Sequence, residues 1–295
     1  MFAISHLNLP AVDVSQWRLQ VRGLVERALT LDLMQLRRYP PAVLESVHHC
    51  AGNPLDPTQP SREAANATWS GVWLRDILDD AGVLPGAEFV WADGLDHGVF
   101  AGVAVSYYRK DLPRSRIGHD VMLATGLNGL PLPIEHGAPV RLVVPGFYGT
   151  NSVKWLWRIT LASERAEGLF TTRLYNDPLP DGGSRPVWAM APSSLIVSPE
   201  PFAKVRGPVR VEGWAWSDPP VAALALSADG GATWTSAEVA VRARREWQRW
   251  SVLWHPSRRG RHTLQCRATD AAGETQPCAG ARNAMHAVAV DVIET

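Results

Sequence analysis

The sequence lacks several features that mark whole classes of protein. It has three cysteines in 295 residues, too few for a scaffold built on disulfides. It has no apolar run of the roughly 18–20 residues that a membrane helix needs, so no membrane span is expected. Its 29 Lys and Arg balance 29 Asp and Glu, and a net charge of zero argues against general binding to nucleic acid. A small basic pocket for one anion remains compatible with this balance.

Targeting and nucleotide-binding signals are also missing. Residues 1–10, MFAISHLNLP, contain no basic stretch, no apolar core and no twin-arginine pair. We therefore expect a cytoplasmic protein from the sequence as written, and a periplasmic one if a leader has been removed. The Walker A and GxGxxG spacings are absent, which disfavours an ordinary nucleotide-binding fold.

What is present is a globular composition rich in Trp and Pro. Hydrophobic residues make up 46% and charged residues 20%, which excludes a wholly disordered chain. The 13 Trp and 23 Pro favour a rigid, loop-rich architecture over a helical bundle. The length suits two domains. The Pro-, Gly- and Asp-rich stretch 176–186 predicts a linker, which divides the chain into domains 1–178 and 179–295.

Periodicity predicts an α+β first domain. Apolar residues at 74, 77, 78 and 81 form one face of a helix that ends at Gly82, and Thr30 is expected to cap a short helix over 31–38. Strands are expected over the remaining apolar or alternating stretches: 16–22, 43–49, 88–92, a hairpin over 121–133 that turns at Asn128–Gly129, 139–146 and 152–161.

The second domain is predicted to be almost entirely strand. Short alternating stretches separated by turn signals indicate a β-sandwich of immunoglobulin type. These stretches are 209–216, 223–234, 247–255, 262–270 and 286–292. Cys266 and Cys278 would form a disulfide only in an oxidising compartment, and two thiols are the favoured expectation.

Cys50 is the first residue that suggests chemistry. It follows a predicted strand and precedes an Ala-Gly step, which lets the backbone turn and leaves the sulfur facing open space. A buried structural cysteine is the plain alternative. His48 shares its strand face, but no second pair at zinc-ligand spacing accompanies them. A cysteine protease would need a partnered His and Asn elsewhere, and no spacing supports one.

The segment 136–155 suggests an anion site. His136, Arg141 and Lys154 bracket a Gly-rich loop whose backbone N–H groups and cations suit a phosphate. A hairpin whose polar residues face water is the alternative.

An ordered set of motifs now carries a family resemblance. CAGN at 50–53, WSGVWLRDIL at 69–78, GLD at 94–96, the run LNGLPLPIEHGAPVRLVVPGFYG at 127–149 and SVKWL at 152–156 resemble the molybdenum-cofactor domain of the sulfite oxidase family. VEGWAW, LSADGGATW and RATDAAGETQP resemble that family's dimerisation domain.

The resemblance implies a molybdenum–molybdopterin cofactor whose metal is bound by the Cys50 thiolate, a soft anionic donor. It implies catalytic roles for Cys50, Tyr175, Arg141 and Lys154. It implies a set of residues around the pterin and its phosphate: Phe2, Ser5, His6, Cys50, Asn53, Asp96, His136, Arg141, Ser152, Val153 and Lys154. The expected activity is oxygen-atom transfer at sulfite or a related sulfur compound, in a homodimer. With no cytochrome b5-like domain and no CxxCH motif, no haem is expected, so electrons would pass to a c-type cytochrome or dioxygen.

The sequence departs from the family at positions that grip sulfite. Ile4, Pro54 and Leu55 stand where the family usually has arginines, and each lost charge-assisted contact is worth about 1.5–3 kcal/mol. One expectation is therefore a substrate that is less charged or larger than sulfite. The other is that cations elsewhere in the chain replace the missing arginines, and the candidates are Arg62, Arg109 and Arg173. The alternatives are the same cofactor acting on sulfane sulfur, a sulfoxide or nitrate, and an inactive two-domain scaffold.

Overall fold

The structure is a computed structural model that describes residues 1–52, 63–118 and 120–295. It divides into two compact units. The first comprises Met1–Ala51 and Ala67–Trp188, and the second comprises Ala189–Thr295 with the described part of Gly52–Asn66. The stretch 176–186 lies inside the first unit and forms a small hairpin in place of the expected linker, because its Pro and Gly residues build a turn that leaves the flanking residues paired.

The described part of residues 1–188 contains two main sheets and two small hairpins. The strands are β1 (Leu19–Gly23), β2 (Leu29–Leu31), β3 (Pro41–His49), β4 (Ala64–Trp73), β5 (Phe89–Gly94), β6 (Gly98–Phe100), β7 (Val103–Val105), β8 (Arg109–Pro113), β9 (Met122–Leu127), β10 (Leu130–Pro131), β11 (Arg141–Val143), β12 (Leu156–Ala162), β13 (Asn176–Pro178) and β14 (Ser184–Pro186). One sheet has the order β2-β1-β12-β5-β8, and the other has the order β10-β9-β4-β3 with β11 on β9.

Helix is scarce in this unit. Within the described residues the α-helices are α1 (Leu33–Leu36) and α2 (Leu74–Ala81), accompanied by short 3₁₀ turns and a π turn at Leu169–Arg173. The α+β description therefore fits loosely, since sheet dominates. No described helix is long and apolar enough to cross a membrane.

Helix α2 was predicted from the spacing of its apolar residues, and the structure confirms it. Its apolar residues at 74, 77, 78 and 81 are all buried in the main core of the unit. Gly82 ends the helix in the left-handed conformation, with φ 68°, which glycine adopts without the penalty of a Cβ. Burying each large side chain of this face contributes about 1.5–3 kcal/mol to folding.

The N-cap of helix α1 is not the residue expected from the sequence. Thr30 lies in β2, and Asp32 is the N-cap instead. The Asp32 carboxylate accepts from the Gln35 amide at 2.7 Å, and the Gln35 side chain accepts from the Asp32 amide at 2.9 Å. This reciprocal capping box stabilises a helix start better than a single hydroxyl does.

The predicted hairpin at 121–133 is confirmed by β9 and β10. Asn128 and Gly129 have φ values of 51° and 79°, as a tight turn with two left-handed central residues requires. The expected strand 152–161 begins only at Leu156, because Trp155 adopts a left-handed φ of 48°. Residues 152–154 are therefore in a loop, where Ser152 Oγ accepts from the Val144 amide at 3.1 Å.

The second unit is an all-strand sandwich, as expected. Its strands are β15 (Ser193–Ser198), β16 (Lys204–Arg206), β17 (Val209–Trp216), β18 (Val221–Ser227), β19 (Thr235–Val239), β20 (Gln248–Trp254), β21 (Gly260–Asp270) and β22 (His286–Glu294). They pair in the order β15-β17-β20-β19-β18-β21-β22-β16. Buried residues of β17 and β20 pack in one core with those of β18, β21 and β22. The row of paired strands is therefore folded over into two layers that enclose this core. Cys266 is a buried thiol and Cys278 an exposed one.

Candidate functional site

A cavity in the first unit collects the residues that the sequence singled out. Its empty volume, counted out to the open mouth, is about 660 Å³. The walls come from the N-terminal segment, the end of β3, the loop after β5 and the loops that flank β11. Ten predicted site residues line it: Phe2, Ser5, His6, Cys50, Asp96, His136, Arg141, Ser152, Lys154 and Tyr175.

Cys50 reaches this cavity because it ends a long strand. β3 alternates exposed and buried residues over its first half and is fully buried from Ser46 to His49. Cys50 follows directly, half-buried, with its thiol among the cavity walls. His48, two residues earlier, lies on the same wall and is buried. The strand thus delivers a thiol and an imidazole side by side.

Arg141 and His48 form a buried pair across the cavity floor. Arg141 Nη2 lies 2.8 Å from His48 Nε2, and Arg141 Nη1 donates to the His136 carbonyl at 3.2 Å. A guanidinium only donates, so His48 Nε2 must accept and the ring must be neutral. Burial and the Arg141 charge hold the pKa of His48 well below its usual value. Burial lowers the pKa of Arg141 to about 10, which leaves it a cation at neutral pH.

Lys154 supplies a second cation to the cavity. Its Nζ donates to Ser5 Oγ at 2.6 Å and to the Glu135 carbonyl at 3.0 Å. Burial, with Arg141 second, lowers the pKa of Lys154 to about 8. Gly137 (φ 110°) lets the chain pass close beneath, since a Cβ there would meet Lys154 atoms at 2.9 Å. The two cations face a shared space that suits an anion.

Three buried polar atoms at the cavity have no hydrogen-bond partner within the described residues. They are Asp96 Oδ1, His136 Nδ1 and Arg141 Nε. Leaving such an atom without a partner costs about 1–3 kcal/mol. Burial raises the pKa of Asp96 to about 6, so its carboxyl gives up a proton less readily than usual. Together these atoms offer a donor, groups that accept and fixed positive charge to a polar ligand.

Two tyrosines also line the cavity. Tyr175 Oη lies 2.5 Å from His6 Nε2, and Tyr175 itself holds a left-handed φ of 58°. The Tyr108 hydroxyl donates to the Thr150 carbonyl at 2.8 Å, and burial raises its pKa. Tyr175 was expected from the motif. Tyr108 was not, and no local pattern identifies it, because its partner lies 42 residues away.

Several expected residues are not at the cavity wall. Val153 is buried in the main core, and its carbonyl accepts from the Leu142 amide. Arg109 is bound to Asp93 at 2.6 Å, and neither Arg109 nor Arg173 lines the cavity, so neither replaces the missing arginine. Ile4 does line it. Asn53, Pro54, Leu55 and Arg62 lie outside the described residues.

The donor set fits the implied cofactor better than a zinc ion. Across residues 1–52, 63–118 and 120–295, no three His, Cys, Asp or Glu side chains are grouped as metal ligands would be. One thiol beside cations and polar atoms without partners instead suits a metal that arrives on an organic ligand with an anionic group. The residues present therefore fit a molybdopterin.

Family comparison decides the assignment. Residues 6–170 match the family described as the oxidoreductase molybdopterin binding domain, and residues 184–290 match the Mo-co oxidoreductase dimerisation domain. The chain belongs to the sulfite oxidase family. Within this family it is 33% identical to the sulfite oxidase of Gallus gallus over 94% of this chain and 66% of that protein. It is 30% identical to the nitrate reductase of Hordeum vulgare over 78% of this chain and 30% of that protein.

A solved structure gives the same result for the fold. The sulfane dehydrogenase SoxCD from Paracoccus pantotrophus matches with a TM-score of 0.81 and 30% identity, over 96% of this chain and 77% of that chain. The chain spans 66% and 60% of the length of the Gallus gallus and Rattus norvegicus sulfite oxidases.

Proposed function

We propose that this member of the sulfite oxidase family is a molybdenum-cofactor oxidoreductase that transfers an oxygen atom to a sulfur compound. The observation that carries the proposal is the cavity that Cys50 shares with the buried Arg141, the half-buried Lys154 and three buried polar atoms that have no partner among the described residues. Written without the catalyst, the reaction adds a water-derived oxygen to sulfur and releases two protons and two electrons. An external acceptor, a c-type cytochrome or dioxygen, takes the electrons.

Different residues of the chain would contact different parts of the cofactor. Cys50 would hold the metal, Asp96 and His136 would meet polar atoms of the pterin, and Arg141 and Lys154 would neutralise its phosphate and nearby oxyanions. The bound cofactor supplies the oxygen-atom transfer and the two-electron chemistry.

The remaining groups act on the substrate. The Tyr175 hydroxyl oxygen lies 2.5 Å from His6 Nε2, so this hydrogen bond holds the hydroxyl in place at the cavity wall. His48 stays neutral and accepts from Arg141, which orients the guanidinium without cancelling its charge. Such a preorganised set favours a substrate in which negative charge builds up during oxidation.

The mouth of the cavity favours a substrate less charged than sulfite. Ile4 lines the cavity at the position where the family has an arginine, and it is 40% exposed. Sulfite is a dianion, whereas a sulfane sulfur at the end of a persulfide carries at most one negative charge. The likeness to a sulfane dehydrogenase over 96% of the chain supports this as the second candidate substrate.

We further propose that the second unit, an immunoglobulin-like sandwich, pairs two copies of the chain. The match of residues 184–290 to a dimerisation domain supports this. A two-fold pair would use one self-complementary face of the sandwich.

A turnover screen tests the proposed activity. Sulfite, thiosulfate and a polysulfide are offered with ferricyanide or cytochrome c as acceptor, and at least one is expected to be oxidised. Tyr175→Phe is expected to lower kcat by roughly 100-fold, the lower end of what a positioned proton-transferring group contributes. Tyr39→Phe is the matched control. It removes a hydroxyl that donates to the Asp80 carboxylate at 2.8 Å and does not line the cavity. Cofactor-loaded protein that oxidises none of the three compounds would contradict the proposal.

A further inference from the structure

Lys110 is a buried lysine that the proposed chemistry leaves without a role. It lies on β8, is 1% exposed, and is one of only three lysines among 29 Lys and Arg residues. Its Nζ donates to the Phe170 carbonyl at 2.7 Å. Burying an ammonium is costly unless an anion accompanies it.

No carboxylate in the described part of the chain pairs with Lys110. Its neighbour Asp111 is bound to Arg165 through two hydrogen bonds, at 2.7 and 3.1 Å. The Asp111 charge is therefore largely balanced by the Arg165 charge. Asp111 raises the pKa of Lys110, whereas Arg165 lowers it. Burial, the larger cause, lowers the pKa of Lys110 to about 7.

The Lys110 ammonium faces the cavity wall from behind. It lies 5.1 Å from the centre of the Tyr175 ring, whose hydroxyl is at 2.5 Å from His6 Nε2. His6 is packed between the rings of Phe100, Tyr108, Phe170 and Tyr175. Burial, then the charge of Lys154, then that of Lys110 lower the pKa of His6.

We infer that Lys110 is a positioning residue whose ammonium, held on the Phe170 carbonyl against the Tyr175 ring, acts together with burial and Lys154 to keep His6 neutral. A neutral His6 that carries its proton on Nδ1 accepts the Tyr175 hydroxyl proton through Nε2. A protonated His6 would donate instead, and the Tyr175 hydroxyl would turn its proton elsewhere. The charged and titratable groups closest to this pair are Lys110, Lys154 and Tyr108, and Cys50, Asp96, Glu135, His136 and Arg141 line the same cavity. The consequence for turnover rests on the proposed function, whereas the consequence for His6 does not.

Histidine titration tests the inference without any activity. Holoenzyme labelled with ¹³C in its histidine rings is titrated by NMR, and His6→Asn assigns the His6 signal. In Lys110→Met, His6 is expected to become protonated at higher pH than in wild type, because the nearby positive charge is gone. Lys110→Arg keeps the charge and is expected to restore the wild-type titration. Identical His6 curves in wild type and Lys110→Met overturn the inference.

The pH profile of turnover is the second readout. In Lys110→Met the ratio of kcat at pH 6 to kcat at pH 8 is expected to fall by about threefold relative to wild type. Lys204→Met, which removes an exposed lysine of the second unit, is the matched control and is expected to change neither readout. An unchanged profile in a fully loaded, active Lys110→Met enzyme refutes the role in turnover. Absence of turnover in wild type refutes the proposed function and leaves the His6 titration to decide on Lys110.

Wild type itself provides a check should Lys110→Met fail to fold. Lysine-selective labelling gives three signals, because the chain has three lysines. The buried signal is expected to report a charged ammonium below neutral pH. A Lys110 that is uncharged throughout the acidic range overturns the inference.

Discussion

Replacing Asp93 by asparagine should strongly destabilise the unit that contains the cavity. The Asp93 carboxylate is fully buried and accepts from Arg109 at 2.6 and 3.0 Å and from Arg158 at 2.5 Å. Both guanidinium groups are mostly buried, at 18% and 9% exposed. Asp93→Asn leaves them without an anion, and breaking a buried ion pair in this way costs about 3–5 kcal/mol.

The effect is large against the total stability of a domain, which is about 5–15 kcal/mol. For a unit of this size, each kcal/mol shifts Tm by roughly 2–4 °C, so a fall of about 10 °C is expected. Asp93 lies on β5, which leads directly into the loop that carries Asp96 to the cavity. Loss of cofactor at elevated temperature should accompany the fall in Tm.

Calorimetry of wild type, Asp93→Asn and Asp79→Asn measures this. Asp79 pairs with Arg75 at 3.6 Å on the surface of α2, with side chains 69% and 41% exposed. Such a pair contributes about 0.2–0.5 kcal/mol, so Asp79→Asn should lie within about 2 °C of wild type. Equal Tm values for the two variants would refute the claim that Asp93 compensates two buried cations.

Three further predictions concern the cavity. Burial raises the pKa of the Asp96 carboxyl to about 6 in the folded protein. In cofactor-free protein the free energy of unfolding should therefore be highest below about pH 4 and fall by about 3 kcal/mol as the pH rises through about 6. Urea unfolding of Asp96→Asn should not show this fall. Ile4→Arg should raise kcat/KM for sulfite by about tenfold, and Leu9→Arg, an exposed neighbour outside the cavity, should not. Gly149→Ala places a Cβ 2.9 Å from His48 Nε2, so cofactor content by pterin fluorescence should fall; full retention would contradict the geometry.

Local patterns predicted the local structure. Helix α2 and the turn at Asn128–Gly129 follow from apolar spacing and from residues that tolerate left-handed backbone. The cap of α1 was assigned wrongly to Thr30 although the sequence contains the reciprocal Asp32 and Gln35 pair at capping-box spacing. The hairpin in 176–186 was missed because turn-forming residues are common to linkers and hairpins.

The composition of the site was predictable only in part. Motif order brought Cys50, Arg141 and Lys154 together, as the cavity shows. The hydrogen bond between His48 and Arg141 joins residues 93 positions apart. The contact of Lys110 with the Tyr175 ring depends on how β8 packs against the segment after the π turn. Neither follows from spacing, because both arise from the tertiary fold.

The central claim is that Cys50 holds the metal of a molybdopterin in this cavity. Wild type, Cys50→Ser and Cys278→Ser are expressed with abundant molybdate, metals are measured by mass spectrometry, and pterin by fluorescence after oxidation. Cys278 is exposed and belongs to the second unit, so its variant is the matched control. We expect about one molybdenum and one pterin per chain in wild type and in Cys278→Ser, and a lowered molybdenum-to-pterin ratio in Cys50→Ser. Wild type without molybdenum or pterin, or an unchanged ratio in Cys50→Ser, would contradict the account.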